Sequence, residues 1–390
     1  MAAQRSANAK EDLRRMKDPV RTSIDFPFLV LVLLLLAVGL AMLYSASYAQ
    51  SQYDTRYESS TKYLQKQAVC ALLGLGCMWL FSRIPAVFWY RCAWPVYGIS
   101  IVLLLLVLVA GESVNGAKRW INIAGIQFQP SEIAKFAMIL LLARLTKHYG
   151  SDAKQFRYGV LGFGCAMLGL LVPLALEKHL SAIMLMGMVG VVMMFVAGTS
   201  PKWLAAGAGA AGLFVLIYIR FMGYAGDRVT AWLHPEQDPG DTGYQILQSL
   251  YAIGSGGLFG LGLGRSRQKY LYLPFQYNDY IFAIICEELG LVGAVLIICL
   301  FAAAIIRGYS IALKAYDRFS TVLAAGLTTL IAVQTILNLC VVTNLLPSTG
   351  IALPFFSYGG TALAVNLGEM GILLSISRQR NQPKQQEGLL

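Results

Sequence analysis

The amino-acid sequence predicts an all-α polytopic membrane protein of about ten transmembrane helices, with both termini cytoplasmic and a large extracytoplasmic loop between spans seven and eight. Three observations predict it. Of the 390 residues, 57% are hydrophobic and 13% are charged, against roughly 25% charged in an ordinary soluble domain. Apolar runs of roughly 18 to 25 residues, the length that crosses a bilayer as a helix, recur along most of the chain. Lysine and arginine collect in alternate connections, and the cytoplasmic side is the one that holds such an excess. The net charge of +11 then reflects topology and anionic lipid, with nucleic acid a poor second reading.

Taken in order, the tail through Asp25 is polar and charged, either a solvated anchor or a segment that docks a partner. Spans are expected near Phe26–Tyr44, Leu64–Phe81, Val87–Ala110, Ile133–Leu145, Gly159–Leu176, Leu180–Ala197, Trp203–Ile219, Tyr280–Ile306, Val322–Val342 and Phe355–Ile376. Residues 26–376 then form one transmembrane domain, with 221–278 as its large outer loop, between cytoplasmic tails 1–25 and 377–390. The first span is longer than a signal-peptide core and reads as an uncleaved anchor. The seven cysteines stand singly, and His148, His179 and His234 are scattered over different connections. Neither pattern suggests a disulfide frame or a zinc site built on histidine.

The outer connections carry the candidate chemistry. Lys118, Arg119 and Trp120 set two cations beside an amphipathic ring, an arrangement suited to a phosphate head group or to interfacial anchoring. Pro130 fits a first helical position and so puts Glu132 in the first turn, where the helix dipole favours an acid. Glu132 and Lys135, three apart on one face, neutralise each other, line a catalytic cavity, or do both. Glu177, Lys178 and His179 crowd a very short turn, which points to a wet cavity nearby. The glycines from Gly254 to Gly264 match neither a Walker A loop nor a dinucleotide fingerprint; they serve a re-entrant turn or bring backbone amides to an anion. Pro and Gly also break the apolar run from Thr343 to Gly360, which is tolerated where protein or a cavity satisfies the backbone. Ser357 and Tyr358 would line that cavity.

The stretch Gly243–Gly290 organises the rest, because it delivers Asp279 to the first turn of the eighth span. An acid there is a functional candidate by default, and a helix cap is the bland alternative. As a catalyst it suits the role of a general base. Glu287 and Glu288, about two turns further on, point to different faces, so at most one shares a cavity with Asp279.

These residues closely resemble one family, the SEDS proteins (shape, elongation, division and sporulation), bacterial polytopic glycosyltransferases that polymerise lipid II into glycan strands. The matching segments are YSAS (Tyr44–Ser47), GAKRW (Gly116–Trp120), QPSEIAK (Gln129–Lys135), Gly243–Lys269, Tyr272–Pro274, DYIFAIICEELG (Asp279–Gly290) and LPSTGIALPFFSYGG (Leu346–Gly360). They span nearly everything between the two tails. YSAS and IALPFFSYGG look more like the FtsW and SpoVE branch of division and sporulation than like RodA of the elongation branch. Two departures stand out. Phe275, Gln276, Tyr277 and Asn278 replace the family's LPE…TD run before Asp279, and Lys178-His179-Leu180-Ser181-Ala182 replaces its PDLGT element, resembling an HLSG variant instead.

The resemblance implies lipid II as substrate, the outer face of the bacterial cytoplasmic membrane as location, and a class B penicillin-binding protein, with other division or elongation proteins, as partners. Lys118, Arg119, Lys135, Arg228 and Lys269 are the cations available to the pyrophosphate, with Trp120, Glu132 and Ser357 completing the substrate contacts. A divalent cation, magnesium or manganese, held by Asp279 and lipid phosphates fits that chemistry. No other cofactor is implied. The alternative class is a lipid-linked precursor flippase or secondary transporter, in which broken spans and midplane charges are equally expected. The clustering of the motifs on the outer half weighs against it, since alternating access asks for comparable features facing inward.

Overall fold

The computed structural model describes residues 23–53, 60–114, 117–123, 126–207, 209, 230–237 and 242–379. Its helices are α1 (Phe26–Tyr53), α2 (Lys62–Phe81), α3 (Ala86–Ala110), α4 (Pro130–Tyr149), α5 (Phe163–Leu176), α6 (Leu180–Val196), α7 (Thr242–Gly256), α8 (Ile281–Leu313), α9 (Arg318–Val342) and α10 (Gly360–Ser377). Among the described residues, seven helices are long and apolar enough to cross a membrane: α1, α2, α3, the segment Arg157–Leu176 that contains α5, α8, α9 and α10. The chain is a multi-pass membrane protein. Helix α6 is apolar but shorter, and α4, in the place of the expected fourth span, carries Glu132, Lys135, Arg144 and Lys147. The expected seventh span, Trp203–Ile219, lies largely outside the described residues, as do most of the two tails.

The all-α expectation holds, with one small addition in a connection. Between α3 and α4 the chain forms a small antiparallel sheet of strands β1 (Glu112–Val114), β2 (Ala117–Ile123) and β3 (Ile126–Phe128), in the order β1-β2-β3. Trp120, Ile121 and Phe128 supply β-branched and aromatic side chains that favour strands. In so apolar a chain their short pattern does not stand out.

Helices α9 and α10 are the centre of the bundle. In each, 72% of the most apolar window is buried inside the protein, against 28% in α2, α3 and α8. Helices α2, α3 and α8 therefore present most of their apolar surface to lipid, whereas α4 is largely buried. At one end of the bundle Asp25 joins three helices. Its Oδ1 accepts from the Phe28 amide at 3.1 Å and from Arg307 Nε at 2.9 Å, while its own amide donates to Ser377 Oγ at 3.0 Å. Lys147 and Asp317 pair at 3.4 Å, and Asp317 also caps α9 by accepting from the Phe319 amide. The opposite end gathers the connections expected outside: Arg119 donates to the Lys178 carbonyl, Ser181 to the Thr349 carbonyl and Trp232 to the Asn344 carbonyl.

Helix α8 is broken. Gly290, with φ 67° and ψ −169°, separates Ile281–Leu289 from the longer run that follows. The loop after α7 closes the break with four backbone hydrogen bonds. Leu261 and Gly262 donate to the carbonyls of Glu287 and Glu288 at 2.9 and 3.0 Å, and Leu291 and Val292 donate back to Gly257 and Leu258 at 2.9 and 3.1 Å. The glycines thus serve a turn that folds back against α8, the first of the two alternatives their spacing left open. Only glycine fits at the crossing: a Cβ on Gly260, at φ +79°, would lie 2.1 Å from the Glu288 carbonyl oxygen, and one on Gly290 would lie 2.3 Å from the Gly260 nitrogen. Gly260→Ala and Gly290→Ala are each expected to cost more than about 2 kcal/mol through backbone strain and steric clash. Gly254→Ala, with nothing within 4 Å of the added carbon, is expected to be neutral or slightly stabilising. Thermal unfolding of the three variants in detergent checks this.

Candidate functional site

Asp279 is held by backbone contacts that bring three connections together. Helix α8 begins at Ile281 with Tyr280 in the capping position, so Asp279 stands one residue outside the helix and not in its first turn, as expected from sequence; it is not the cap residue. Asn338 of α9 donates through Nδ2 to the carbonyls of both Asp279 and Ile351, each at 2.7 Å. That clamp brings the carboxylate against Gly350, where an added Cβ would lie 3.5 Å from Asp279 Oδ2. The Tyr358 amide donates to the Tyr277 carbonyl at 2.8 Å, and Tyr63 of α2 packs its ring 4.7 Å from Tyr277 and 5.0 Å from Tyr358. Ser357 is buried and holds its own turn, its Oγ accepting from the Leu353 amide at 2.7 Å. Gln67 brackets the same turn through the Ser357 carbonyl and the Gly359 amide, both at 3.2 Å.

Strain concentrates at this end. Among the described residues the non-glycine positions with positive φ are Lys178, Leu271, Phe275, Asn344 and Phe355. All five belong to connections at the Asp279 end, and each costs on the order of 1–3 kcal/mol and persists because its surroundings over-determine it.

A second polar group lies on α4. Pro130 occupies the start of the helix and Glu132 its first turn, and Lys135 Nζ sits 2.7 Å from Glu132 Oε2 with both side chains buried. The spacing of three therefore gives the ion pair it suggested. Arg119 and Trp120, on β2, are half-buried, whereas Lys118 is exposed, with its ammonium 3.4 Å from the Leu108 carbonyl. Glu177 and His179 are buried in the turn between α5 and α6, and Glu177 Oε1 and His179 Nδ1 have no hydrogen-bond partner among the described residues. Burial pushes the Glu177 carboxyl up to about 8, against the pull of Arg119. Burial likewise pushes the His179 imidazole down to about 3, and Arg119 and Lys135 act in the same direction.

Other expected contacts are placed differently. Lys269 is buried. Its Nζ lies 3.1 Å from Glu288 Oε1 and 3.3 Å from Ser45 Oγ and also donates to the Gly264 carbonyl, so its three protons are committed. The carboxylates of Glu287 and Glu288 are likewise engaged. Glu287 accepts from Ser266 Oγ and from the amides of Arg267 and Gln268 at 2.9 and 3.3 Å; Glu288 accepts from Ser45 Oγ at 2.7 Å and the Ser266 amide at 3.2 Å. The loop turns its donors inward onto both acids. Sequence reasoning missed Asn338, Gln67 and this role of Ser45, since nothing local marks a residue whose partners lie far along the chain. Arg228 lies outside the described residues.

A family model described as "Cell cycle protein", FtsW/RodA/SpoVE, matches residues 26–382. The chain belongs to that family. It is 39% identical over 357 residues to a protein of Geobacter sulfurreducens named "Probable peptidoglycan glycosyltransferase FtsW", covering 90% of this chain and 95% of the relative. It is 38% identical over 370 residues to "Stage V sporulation protein E" of Bacillus subtilis, covering 92% and 98%. Among solved structures, a chain from "Structural coordination of polymerization and crosslinking by a peptidoglycan synthase complex" superposes with a TM-score of 0.78 at 28% identity, covering 93% of this chain and 99% of that one. Thermus thermophilus RodA superposes with a TM-score of 0.67 at 26% identity over the same shares.

The buried turn of this family member makes its stability depend on pH. Glu177 keeps its proton in the folded state up to about pH 8, above its ordinary range, so its contribution is complete below about pH 4.5 and is lost as pH rises through 8. His179 has the opposite sign. Its contribution is present above about pH 6.5 and is lost as pH falls towards 3. Thermal unfolding in detergent between about pH 4 and 9 should show Glu177→Gln removing an alkaline loss of stability and His179→Asn removing an acidic one.

Proposed function

We propose that this chain is a peptidoglycan glycosyltransferase that polymerises lipid II into glycan strands on the outer face of the bacterial cytoplasmic membrane. The observation that carries the reading is Asp279, clamped through its backbone carbonyl with its carboxylate facing Gly350 across the last turn, in a chain whose relatives are named for this activity. The end of the bundle that bears Asp279 is the outer one. A site there has no access to nucleotide sugars, so the donor arrives already activated, as a lipid-linked sugar on a pyrophosphate leaving group.

In the transfer, the acceptor hydroxyl oxygen bonds to the anomeric carbon of the donor. The bond from that carbon to the pyrophosphate oxygen breaks, and its electron pair leaves with the polyprenyl pyrophosphate. Asp279 takes the hydroxyl proton as general base. Lys135 and Arg119, on the buried side of the same end, offset charge developing on the pyrophosphate, and Lys118 and Trp120 meet the lipid head group at the rim. Among the described residues no three His, Cys, Asp or Glu side chains are grouped to hold a metal, so a magnesium or manganese ion would rest on Asp279 and on substrate phosphates. The partner is a membrane-anchored transpeptidase of the penicillin-binding class, which crosslinks the strands. The similarity to a chain from a synthase complex that couples polymerisation to crosslinking supports it.

Purified protein supplied with lipid II, alone and with the transpeptidase, should make glycan chains. Asp279→Asn should lower the rate by at least about 100-fold while lipid II binding and thermal stability hold. Normal synthesis by a folded Asp279→Asn protein would sink the base assignment, and no glycan from the wild-type chain in either setting would sink the polymerase reading.

A further inference from the structure

The loop that closes the break in α8 also has an outward face. Its inward face is fully used, with Ser266 and Lys269 turned onto Glu287 and Glu288, and the amides of Arg267 and Gln268 donating to Glu287 at 2.9 and 3.3 Å. The side chains between them turn out. Arg265, Arg267, Gln268, Tyr270 and Tyr272 line an open pocket of about 730 Å³. Both arginines are exposed, and neither guanidinium has a hydrogen-bond or ion-pair partner among the described residues. Glu287 and Glu288, behind the loop, are buried and their oxygens are taken by the donors just named, so neither is open to a guanidinium.

Two observations set this pocket against lipid. Gly257 and Leu258 accept from the amides of Leu291 and Val292, and the side chains around that contact, Leu258, Phe259 and Leu263 on the loop and Leu291 and Leu296 on α8, are all more than half exposed. On a spanning helix, side chains of that kind face hydrocarbon. The Arg267 amide meets Glu287 about 9 Å along α8 from its start at Ile281. The two arginines thus spring from a level below the helix end, where an exposed cation reaches up towards the head groups and needs an anion. Tyrosines such as Tyr270 and Tyr272 are at home at that level.

We propose that this pocket binds the head group of an anionic phospholipid in the leaflet at the Asp279 end. Arg265 and Arg267 donate to the phosphate oxygens, and the acyl chains lie over Leu258, Phe259 and Leu263. Phosphate is the anion whose oxygens match the guanidinium fork. A phospholipid brings it to this depth together with chains that cover the apolar flank, which a free phosphate ion would leave bare. The bound lipid braces the loop from outside, as Glu287 and Glu288 do from inside. None of the lining residues belongs to the transfer chemistry assigned above, and the inference does not depend on the polymerase reading.

The test reconstitutes the full-length protein into phosphatidylcholine nanodiscs holding a small share of phosphatidylglycerol with a photoreactive diazirine near its head group, and maps the crosslinks by peptide mass spectrometry. Peptides covering residues 257–273 should take up at least about fivefold more of this tracer than of a phosphatidylcholine tracer with the same diazirine. Arg265→Gln/Arg267→Gln should remove that excess while labelling around Arg83, at the opposite end of the bundle, stays as in wild type. Arg265→Lys/Arg267→Lys keeps the charge but not the fork, and should retain only part of it. Raising sodium chloride from about 0.05 to 0.5 M should reduce the wild-type excess. Equal labelling by the two tracers overturns the proposal, as does an excess that survives in a folded Arg265→Gln/Arg267→Gln protein. Should that variant not fold, the salt series decides, and an excess indifferent to salt overturns the site. Unlabelled undecaprenyl phosphate is the rival: if it removes the excess at a tenth or less of the phosphatidylglycerol concentration that does so, the pocket belongs to a polyprenyl carrier and the phospholipid assignment falls. No arm reads glycan synthesis, so failure of the polymerase reading leaves the outcome intact.

Discussion

A break inside an apolar helix leaves amide and carbonyl groups that hydrocarbon cannot satisfy, at a cost of several kcal/mol each. In this chain the break at Gly290 is met by the glycine loop after α7, through four backbone hydrogen bonds exchanged in both directions. The rest of the site depends on that exchange. It seats the loop so that Glu287 and Glu288 collect the donors of Ser266, Arg267 and Gln268, and it brings Lys269 to Glu288 and Ser45, tying the loop to α1. With its deep end fixed, the loop returns through Tyr277 to present Asp279 to the last turn.

Charges in this fold divide by whether they are answered. Asp25 with Arg307, Lys147 with Asp317 and Lys269 with Glu288 are paired, and all three join segments distant in sequence. They hold helices in place, and removing one partner would leave a costly unpaired charge. Glu177, His179 and Glu369 are buried with polar atoms that no described residue satisfies. Buried polar groups are retained in that state where water, a substrate or a moving proton meets them.

The sequence was most legible where the determining relation is local. The Glu132–Lys135 pair follows from a spacing of three behind Pro130, and the fold-back glycines follow from their density. Asp279 was found for the same reason, as an acid at the edge of an apolar run. What stayed hidden depends on distance along the chain. Lys269 looked like a free cation because nothing near it reveals that Glu288, nineteen positions on, takes its charge. Ser45 meets Glu288 across 243 positions, and Asn338 reaches Asp279 across 59. The three short strands were invisible for another reason: hydropathy averaged over a span-length window cannot register a turn of three to seven residues. Glu369 was passed over because one acid in an apolar helix gives no sign of its neighbours.

The reciprocal bonding at Gly290 also bears on how the protein reaches its membrane. Were α8 handed to the bilayer as an isolated segment, the open backbone between Glu287 and Val292 would enter lipid with donors and acceptors unmet. The groups that meet them lie upstream, from Gly257 to Gly262, and are synthesised first. Biogenesis therefore favours a hairpin: α7, its glycine loop and the first half of α8 leave the insertion machinery as one unit already closed on itself. The order of synthesis and the order of bonding coincide, so the break is closed before the two central helices arrive, and Asn338 of α9 then fixes Asp279.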